Sequence, residues 1–416
     1  LGFRVSDFIV MRLPQNPLLH LTYCQNIHPG ESWAENHSAL SEKAVAVKNA
    51  LQADGPFGLG LRLSATAAAE LADAGPLAEG AALFATEKLY PFSINGFPYG
   101  RFHKGPVKEN VYAPDWRTTE RLDYTLRLAE VLAHWLPAGD EGSISTVPGS
   151  FAPWIQSRED ELSMARNLGL AAAGLARIEA RTGRRVHLGL EPEPDCFLET
   201  TAQTLAFFAD ALPAGAVPVL REQLQVGPEA ALELLHRHLG VCFDTCHVAL
   251  QYEDLTASLR AYRSAGVLLS KIQLSAALRA PATPEAVEAL QAFREPTYLH
   301  QVKARGPHGT RKSWTDLPAG LAALPNESGL EELRVHFHVP LFVAPRAPLA
   351  STADSLDRAF WKEVLAGACT HLEIETYTFD VLPPEVHPGD IVESIAAEYS
   401  WVLRQLDEAG EPAPGK

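Results

Sequence analysis

Gly240-Val241-Cys242-Phe243-Asp244-Thr245-Cys246-His247 is an apolar run that ends in an acid and, three residues on, an imidazole. A strand running out into a loop here aims Asp244 and His247 at one point. Carboxylate and imidazole are two ligand types for a divalent metal. The same ending recurs. Glu191 closes the apolar run 186–190, and Glu375 closes the run 371–374. Parallel strands whose carboxyl ends converge on one mouth are the arrangement of a TIM barrel.

Outward from these three segments, short apolar runs alternate with helical patterns. Strands are expected at 21–24, 57–63, within 82–93, at 143–146, at the runs ending in Glu191 and Asp244, and at 268–274 and 371–375. Helices are expected over 33–51, from Ser64 to near Gly75, over 118–136 and 155–181 (capped by Gly183), near 201–212 and 227–238, up to about Ala265, and over 391–406. Such alternation means parallel strands joined by crossover helices. Eight units predict an α/β fold closed into a (β/α)8 barrel. A doubly wound sheet would want a Gly-rich phosphate loop after its first strand, and Asn26-Ile27-His28-Pro29-Gly30 is not one.

An insertion of about 279–369 separates strands seven and eight. Its runs 298–303 and 334–339 suit a hairpin over the strand ends. The expected layout is an N-terminal extension over 1–18, one barrel over 19–410 and a tail over 411–416. Met11 is a candidate start, with 1–10 as upstream extension.

The 416 residues are 46% hydrophobic and 21% charged, enough for a sizeable core. The net charge of -16 leaves no basic footprint for nucleic acid, so a small-molecule partner is expected. No apolar run reaches the ~18 residues of a transmembrane helix. Five cysteines, an odd number without small-domain spacing, suggest a reduced, cytoplasmic setting.

Glu191, Asp244 and Glu375 would repel one another in one mouth unless a cation joined them. Mn²⁺, Zn²⁺, Co²⁺ or Mg²⁺ would accept them, imidazole favouring the transition metals. Glu193, between Pro192 and Pro194, is read as loop structure, and Glu373 as one inward step deeper than Glu375. His336 and His338 alternate about Phe337 and would face one way on a strand. One of them is a candidate extra ligand or substrate contact. Asn26, His28, Asn95, His103, Lys108, Arg305 and His336 are candidate substrate contacts, with Lys108 and Arg305 suited to an anionic group. Taken singly, each also fits a structural or surface place. The loop 95–116 is long enough to be a lid.

The Asp244-Thr245-Cys246-His247 segment resembles the metal segment of endonuclease-four type AP endonucleases, which group with the xylose-isomerase-like barrels. That resemblance implies ligands from strands five to eight: Glu191, Asp244, a histidine on strand seven, and Glu375. Here strand seven carries Gln273 where the histidine is expected, a weaker ligand, and His338 or His336 is the substitute. A resemblance over nearly the whole chain is to the EboE metabolite traffic proteins of bacterial ebo clusters. It is carried by Tyr23–Trp33, Ile94–Gly100, Val111–Trp116, Leu190–Pro194 and Leu372–Thr378. It implies moving or processing a prenylated secondary-metabolite precursor, with other ebo-cluster proteins as partners.

Three functions follow. One is a metal-dependent isomerase or epimerase, with Glu191 and Glu375 moving the proton and His247 orienting substrate or tuning the metal. The second is a barrel that binds or carries a metabolite without turnover. The third is a phosphodiesterase of the AP endonuclease kind, which would need several more histidine ligands.

Overall fold

The computed structural model describes residue 16 and residues 18–411, except 104 and 385. The expected extension therefore lies almost wholly outside the described residues, as does the tail beyond 411. Among the described residues there are thirteen strands: β1 (His20–Tyr23), β2 (Phe57–Arg62), β3 (Leu89–Asn95), β4 (Gly142–Thr146), β5 (Val186–Leu190), β6 (Leu239–Asp244), β7 (Leu268–Leu274), β8 (Ala277–Pro281), β9 (Val302–Arg305), β10 (Arg311–Trp314), β11 (Glu332–His338), β12 (Ala350–Ser351) and β13 (His371–Ile374).

Eight of them form one parallel sheet in the order β1-β13-β7-β6-β5-β4-β3-β2. A parallel bridge between Cys24 and Gly60 brings its two ends together. The sheet is thereby a (β/α)8 barrel, as the alternation predicts. Gly60 permits the closure: a Cβ there would stand 2.9 Å from Thr22 Cγ2 and 3.0 Å from Glu373 Oε1. Side chains such as Leu59, Leu61, Ile144, Leu188 and Ile272 are at most 1% exposed, as strands covered on both faces require.

The outer helices start and stop where local chemistry dictates. Ser157 caps the helix Arg158–Thr182 in a reciprocal capping box with Asp160, and Gly183, at φ 68°, ends it. Two segments differ from expectation. Residues 82–87 belong to the helix Ala74–Glu87, and the third strand begins only at Leu89. Lys88, in left-handed conformation, separates them. The helix near 201–212 is two helices, Thr201–Ala209 and Ala211–Leu224, broken at Asp210. Together Thr201–Leu224 are long and apolar enough to cross a membrane by length and composition alone, an 18-residue window within them reaching mean hydropathy 1.3. The second of them packs closely on Arg158–Thr182: a Cβ on Gly169 would meet Ala216 Cα at 2.8 Å, and one on Gly215 would meet Ala165 Cβ at 2.6 Å. Its apolarity thus serves a helix–helix contact.

The insertion is larger than a hairpin. It forms a five-stranded sheet, β10-β9-β11-β8-β12, whose pairs are antiparallel. The two expected runs do pair, Val302–Arg305 against Glu332–Val335. β7 passes into β8 with only Ser275 and Ala276 between them, so the inserted sheet rises directly from the barrel.

Candidate metal centre

The acids ending β5, β6 and β13 meet at the barrel mouth. Glu191, Asp244 and Glu375 each bring a carboxylate oxygen within 4.8 Å of the others, and all three are buried. Asp244 caps the short helix Thr245–Leu250, its Oδ1 accepting from the His247 N–H at 3.0 Å and the Ser275 hydroxyl at 2.7 Å. Its Oδ2 has no hydrogen-bond partner, and neither has Glu191 Oε2. Glu375 Oε1 accepts from Asn26 Nδ2 at 2.8 Å and Asn95 Nδ2 at 3.0 Å.

Burial, then the neighbouring Asp244, pushes the Glu191 carboxyl well above its ordinary range. Burial, then Glu191 and Asp244, does the same to Glu375. Burial also pushes Asp244 upward, but His247 and His338 outweigh it and bring its pKa below the usual value. The cluster is like-charged and dry, the condition that a bound cation relieves.

The imidazole comes from the insertion. His338, on β11, is fully buried. Its Nδ1 lies 2.8 Å from the Glu375 carbonyl oxygen, which can only accept, so Nδ1 carries the hydrogen. Burial lowers its pKa to about 4. The neutral ring therefore presents a lone pair at Nε2, which has no partner. An Nδ1–H anchored on a carbonyl is the usual support of a metal-ligating histidine. With Asp244 and His247, His338 forms a second group of donors within 4.8 Å. Three unpartnered buried atoms on carboxylate and imidazole fit a divalent ion.

Gln273 pairs in register with Asp244 on β6 and Glu373 on β13. Its Oε1 accepts from the Cys242 thiol at 3.1 Å, and its Nε2 is the unpartnered atom. Beneath lies a buried ion pair, Lys271 Nζ to Glu373 Oε2 at 2.6 Å, shared with Ser93 Oγ at 2.9 Å from Nζ. Lys271 offsets part of the negative charge felt by Glu191.

The other expected contacts divide. Asn26, Asn95, Lys108, Glu191, His247, His336 and Glu375 line one cavity. His28 and His103 are buried beside it as supports. The Tyr23 hydroxyl lies 3.0 Å from His28 Nε2, and His103 Nε2 lies 2.6 Å from the Asn26 carbonyl. Arg305 does not line the cavity: its guanidinium sits over the Tyr252 ring at 4.7 Å and pairs with Glu332 at 3.1 Å. Lys108 is held by the Tyr298 carbonyl and by Asp316, each at 2.7 Å. Val107 N–H reaches the Thr297 carbonyl at 2.7 Å, so the long loop after β3 is pinned to the insertion over the mouth.

Glu193, read as loop structure from its flanking prolines, lines the cavity and accepts from the Tyr112 hydroxyl at 2.8 Å. Its strand parity with Glu191 was the signal for it. The rim is apolar: Phe97, Phe102, Val107, Val111, Leu299 and Tyr377. Sequence reading had no signal for that rim, because its members come from separate loops. All five cysteines are free and buried.

No protein-family model matches the chain, and no curated protein matches it. Among solved structures it is similar to a xylose isomerase-like TIM barrel protein from Mycobacterium smegmatis in complex with magnesium, at 12% identity and TM-score 0.47, over 94% of this chain and 97% of that one. It is similar to an L-ribulose 3-epimerase at 12% identity and TM-score 0.46, over 94% and 95%. It is also similar to the IolI protein with a bound zinc atom, at 12% and 0.45, over 94% and 98%. Likenesses this distant carry no argument about chemistry, and the barrel stands on its own strand order.

Proposed function

We propose that the protein is a divalent-metal-dependent barrel of the sugar isomerase or epimerase type, acting on a ligand with adjacent hydroxyl and carbonyl groups. The observation that carries this reading is that Asp244 belongs to two groups of buried donors within 4.8 Å, one with Glu191 and Glu375 and one with His247 and His338, while Glu191 Oε2, Asp244 Oδ2 and His338 Nε2 have no hydrogen-bond partner. Glu191, Asp244, Glu375 and His338 would hold the ion, with Gln273 a weaker donor already engaged by Cys242. Mn²⁺, Zn²⁺, Co²⁺ and Mg²⁺ remain the candidates, the imidazole favouring the first three. The bound ion would supply polarisation of the hydroxyl–carbonyl pair.

The residues divide the remaining work. Glu375 is fixed through Oε1 by Asn26 and Asn95 and so holds one orientation. Glu191 would give Oε2, which has no partner in the protein, to the ion and leave its other carboxylate oxygen to accept or return a proton. Carboxyls whose pKa values are raised by burial suit proton exchange near neutral pH. The loop holding Lys108 and the insertion exclude water from above.

The apolar rim favours a ligand that joins a chelating polar head to an apolar or aryl body. The role implied by the EboE resemblance, carrying or processing a prenylated precursor beside other ebo-cluster proteins in the cytoplasm, belongs with that rim. A barrel that binds without turnover would use the same rim. The phosphodiesterase reading has less support.

The test is hydrogen exchange in D₂O on a panel of ketoses and hydroxy-ketones, with metal counted in the same preparation. Isomerase or epimerase chemistry gives deuterium at the carbon beside the carbonyl, lost in Glu191→Gln. Metal and ligand binding without exchange would replace the enzyme reading by the binding one.

A further inference from the structure

Glu193 is a buried acid that no lysine or arginine meets. It is 6% exposed. Among the described residues its one ion-pair contact is His336 Nδ1, 3.8 Å from Oε1, and that nitrogen lies nearer to Gln301 Oε1, at 2.6 Å. Buried carboxylates are ordinarily paired with a cation or fully hydrogen-bonded. Glu193 is neither. Oε1 accepts from the Tyr112 hydroxyl at 2.8 Å, while Oε2 is left open to the cavity that the residue lines. The carboxylate is also held still. Pro192 and Pro194 fix φ on either side of it. Its N–H donates to the Leu198 carbonyl at 3.0 Å, and its carbonyl accepts from the Cys196 N–H at 3.2 Å. Tyr112 is fixed in turn, accepting from Gln301 Nε2 at 3.1 Å and stacking on Phe151 at 5.2 Å.

The cavity supplies no counter-charge. Among its described lining residues Lys108 is the one lysine or arginine, and the Tyr298 carbonyl and Asp316 already hold its Nζ at 2.7 Å each. A phosphate or carboxylate on a ligand would enter among Glu191, Glu193 and Glu375. An ion on Glu191 and Glu375 would still leave Glu193 unanswered. The walls favour the opposite sign. Phe102 lies 5.2 Å from Tyr298 and 5.4 Å from Tyr377, and Tyr298 lies 5.0 Å from Tyr377, between ring centroids. Phe97 lies 6.0 Å from Tyr112. All five rings line the cavity, and aromatic faces attract cations.

We infer that Glu193 and this aromatic wall form a subsite for an organic ammonium group. The ammonium would donate to Oε2 and lay its carbon side against the rings. This deepens the proposed function and rests on the cavity being where the ligand binds: the ligand carries an amine beside its apolar body and is not a sugar phosphate.

The experiment titrates the full chain with benzylammonium, benzyl alcohol and benzoate, three probes of similar shape and different charge, followed by NMR. Each titration is run with a chelator and again with excess Mg²⁺, and bound metal is counted. Wild type should bind benzylammonium at least ~10-fold more tightly than benzyl alcohol, a difference of about 1.4 kcal/mol, and benzoate most weakly. Glu193→Gln should bring benzylammonium down to the level of benzyl alcohol and leave the alcohol unchanged. Equal affinities in wild type overturn the subsite. So does a preference that survives Glu193→Gln, which is what general attraction to a chain of net charge -16 would give. A preference that needs Glu193 in a chain holding no metal supports the subsite and removes the metal centre. Bound metal without the preference leaves the centre standing and overturns the subsite. Should the variant fail to fold, a wild-type crystal soaked with benzylammonium decides: nitrogen within hydrogen-bond distance of Glu193 supports the subsite, and its absence there overturns it.

Discussion

His338 donates from Nδ1 to the main-chain carbonyl of Glu375, 2.8 Å away. One hydrogen bond thus joins the inserted sheet to the last barrel strand and sets the direction of a free Nε2. In the proposed centre the imidazole would come from β11, since Gln273 stands on β7.

Replacing that ring tests the assignment. His338→Ala should keep the fold and weaken metal binding at least ~10-fold, the scale on which even a supporting partner of a metal ligand acts. Competition against a chromogenic chelator measures it. Unchanged affinity would remove His338 from the ligand set.

Asn26 and Asn95 both donate to Glu375 Oε1. Hydrogen bonds to an ionised group contribute about 1.5–3 kcal/mol, or roughly one to two pH units on its titration. In Asn26→Ala the carboxylate loses a donor, its pKa rises, and a proton competes better with metal. The pH midpoint of metal binding should move upward by up to roughly one unit. A midpoint that stays put would mean that Glu375 is not a ligand.

Glu398 is not one of the proposed ligands, and its titration tests burial. Burial pushes its carboxyl up to about 7 from an ordinary 4.5, although Thr376 and the Leu341 N–H donate to it. Between those two values the folded state keeps a proton that the unfolded state has released. This group's contribution is therefore most favourable below 4.5 and is lost as pH rises to about 7, by up to about 3 kcal/mol. Glu398→Gln keeps an acceptor and removes that slope. Urea midpoints for the two proteins should diverge from pH 4.5 to 7 and then run parallel; a constant difference would contradict the buried-acid account.

Lys108 tethers the loop after β3 to Tyr298 and Asp316. With the side chains 24% and 20% exposed, the ion pair contributes only ~1 kcal/mol or less to stability. Lys108→Met should leave the melting temperature nearly unchanged while raising amide hydrogen exchange over 105–112. Equal exchange would show that Val107 N–H to Thr297 alone holds the loop.

The three acids were readable because each follows an apolar strand and meets the others only through barrel closure, which the alternation predicts. The start of β3 was not, because Ala81, Ala82, Leu83 and Phe84 suit strand and helix alike until Lys88 turns left-handed. Glu193 reads as loop structure because prolines flank it, yet its carboxylate lines the cavity and accepts from the Tyr112 hydroxyl. Arg305 looked like an anion contact, but Tyr252 and Glu332 take its charge. The rim depends on loops far apart in sequence, which no local pattern encodes.

The parallel hoop is fastened between its first and second staves by the Cys24–Gly60 bridge, whereas its other neighbours pair over three to six residues. Thermal breathing should concentrate at that seam. Asn26 lies two residues past it and holds Glu375. Loosening the seam would slacken the carboxylate, so the closing joint of the scaffold would also set how firmly the proposed ion is held.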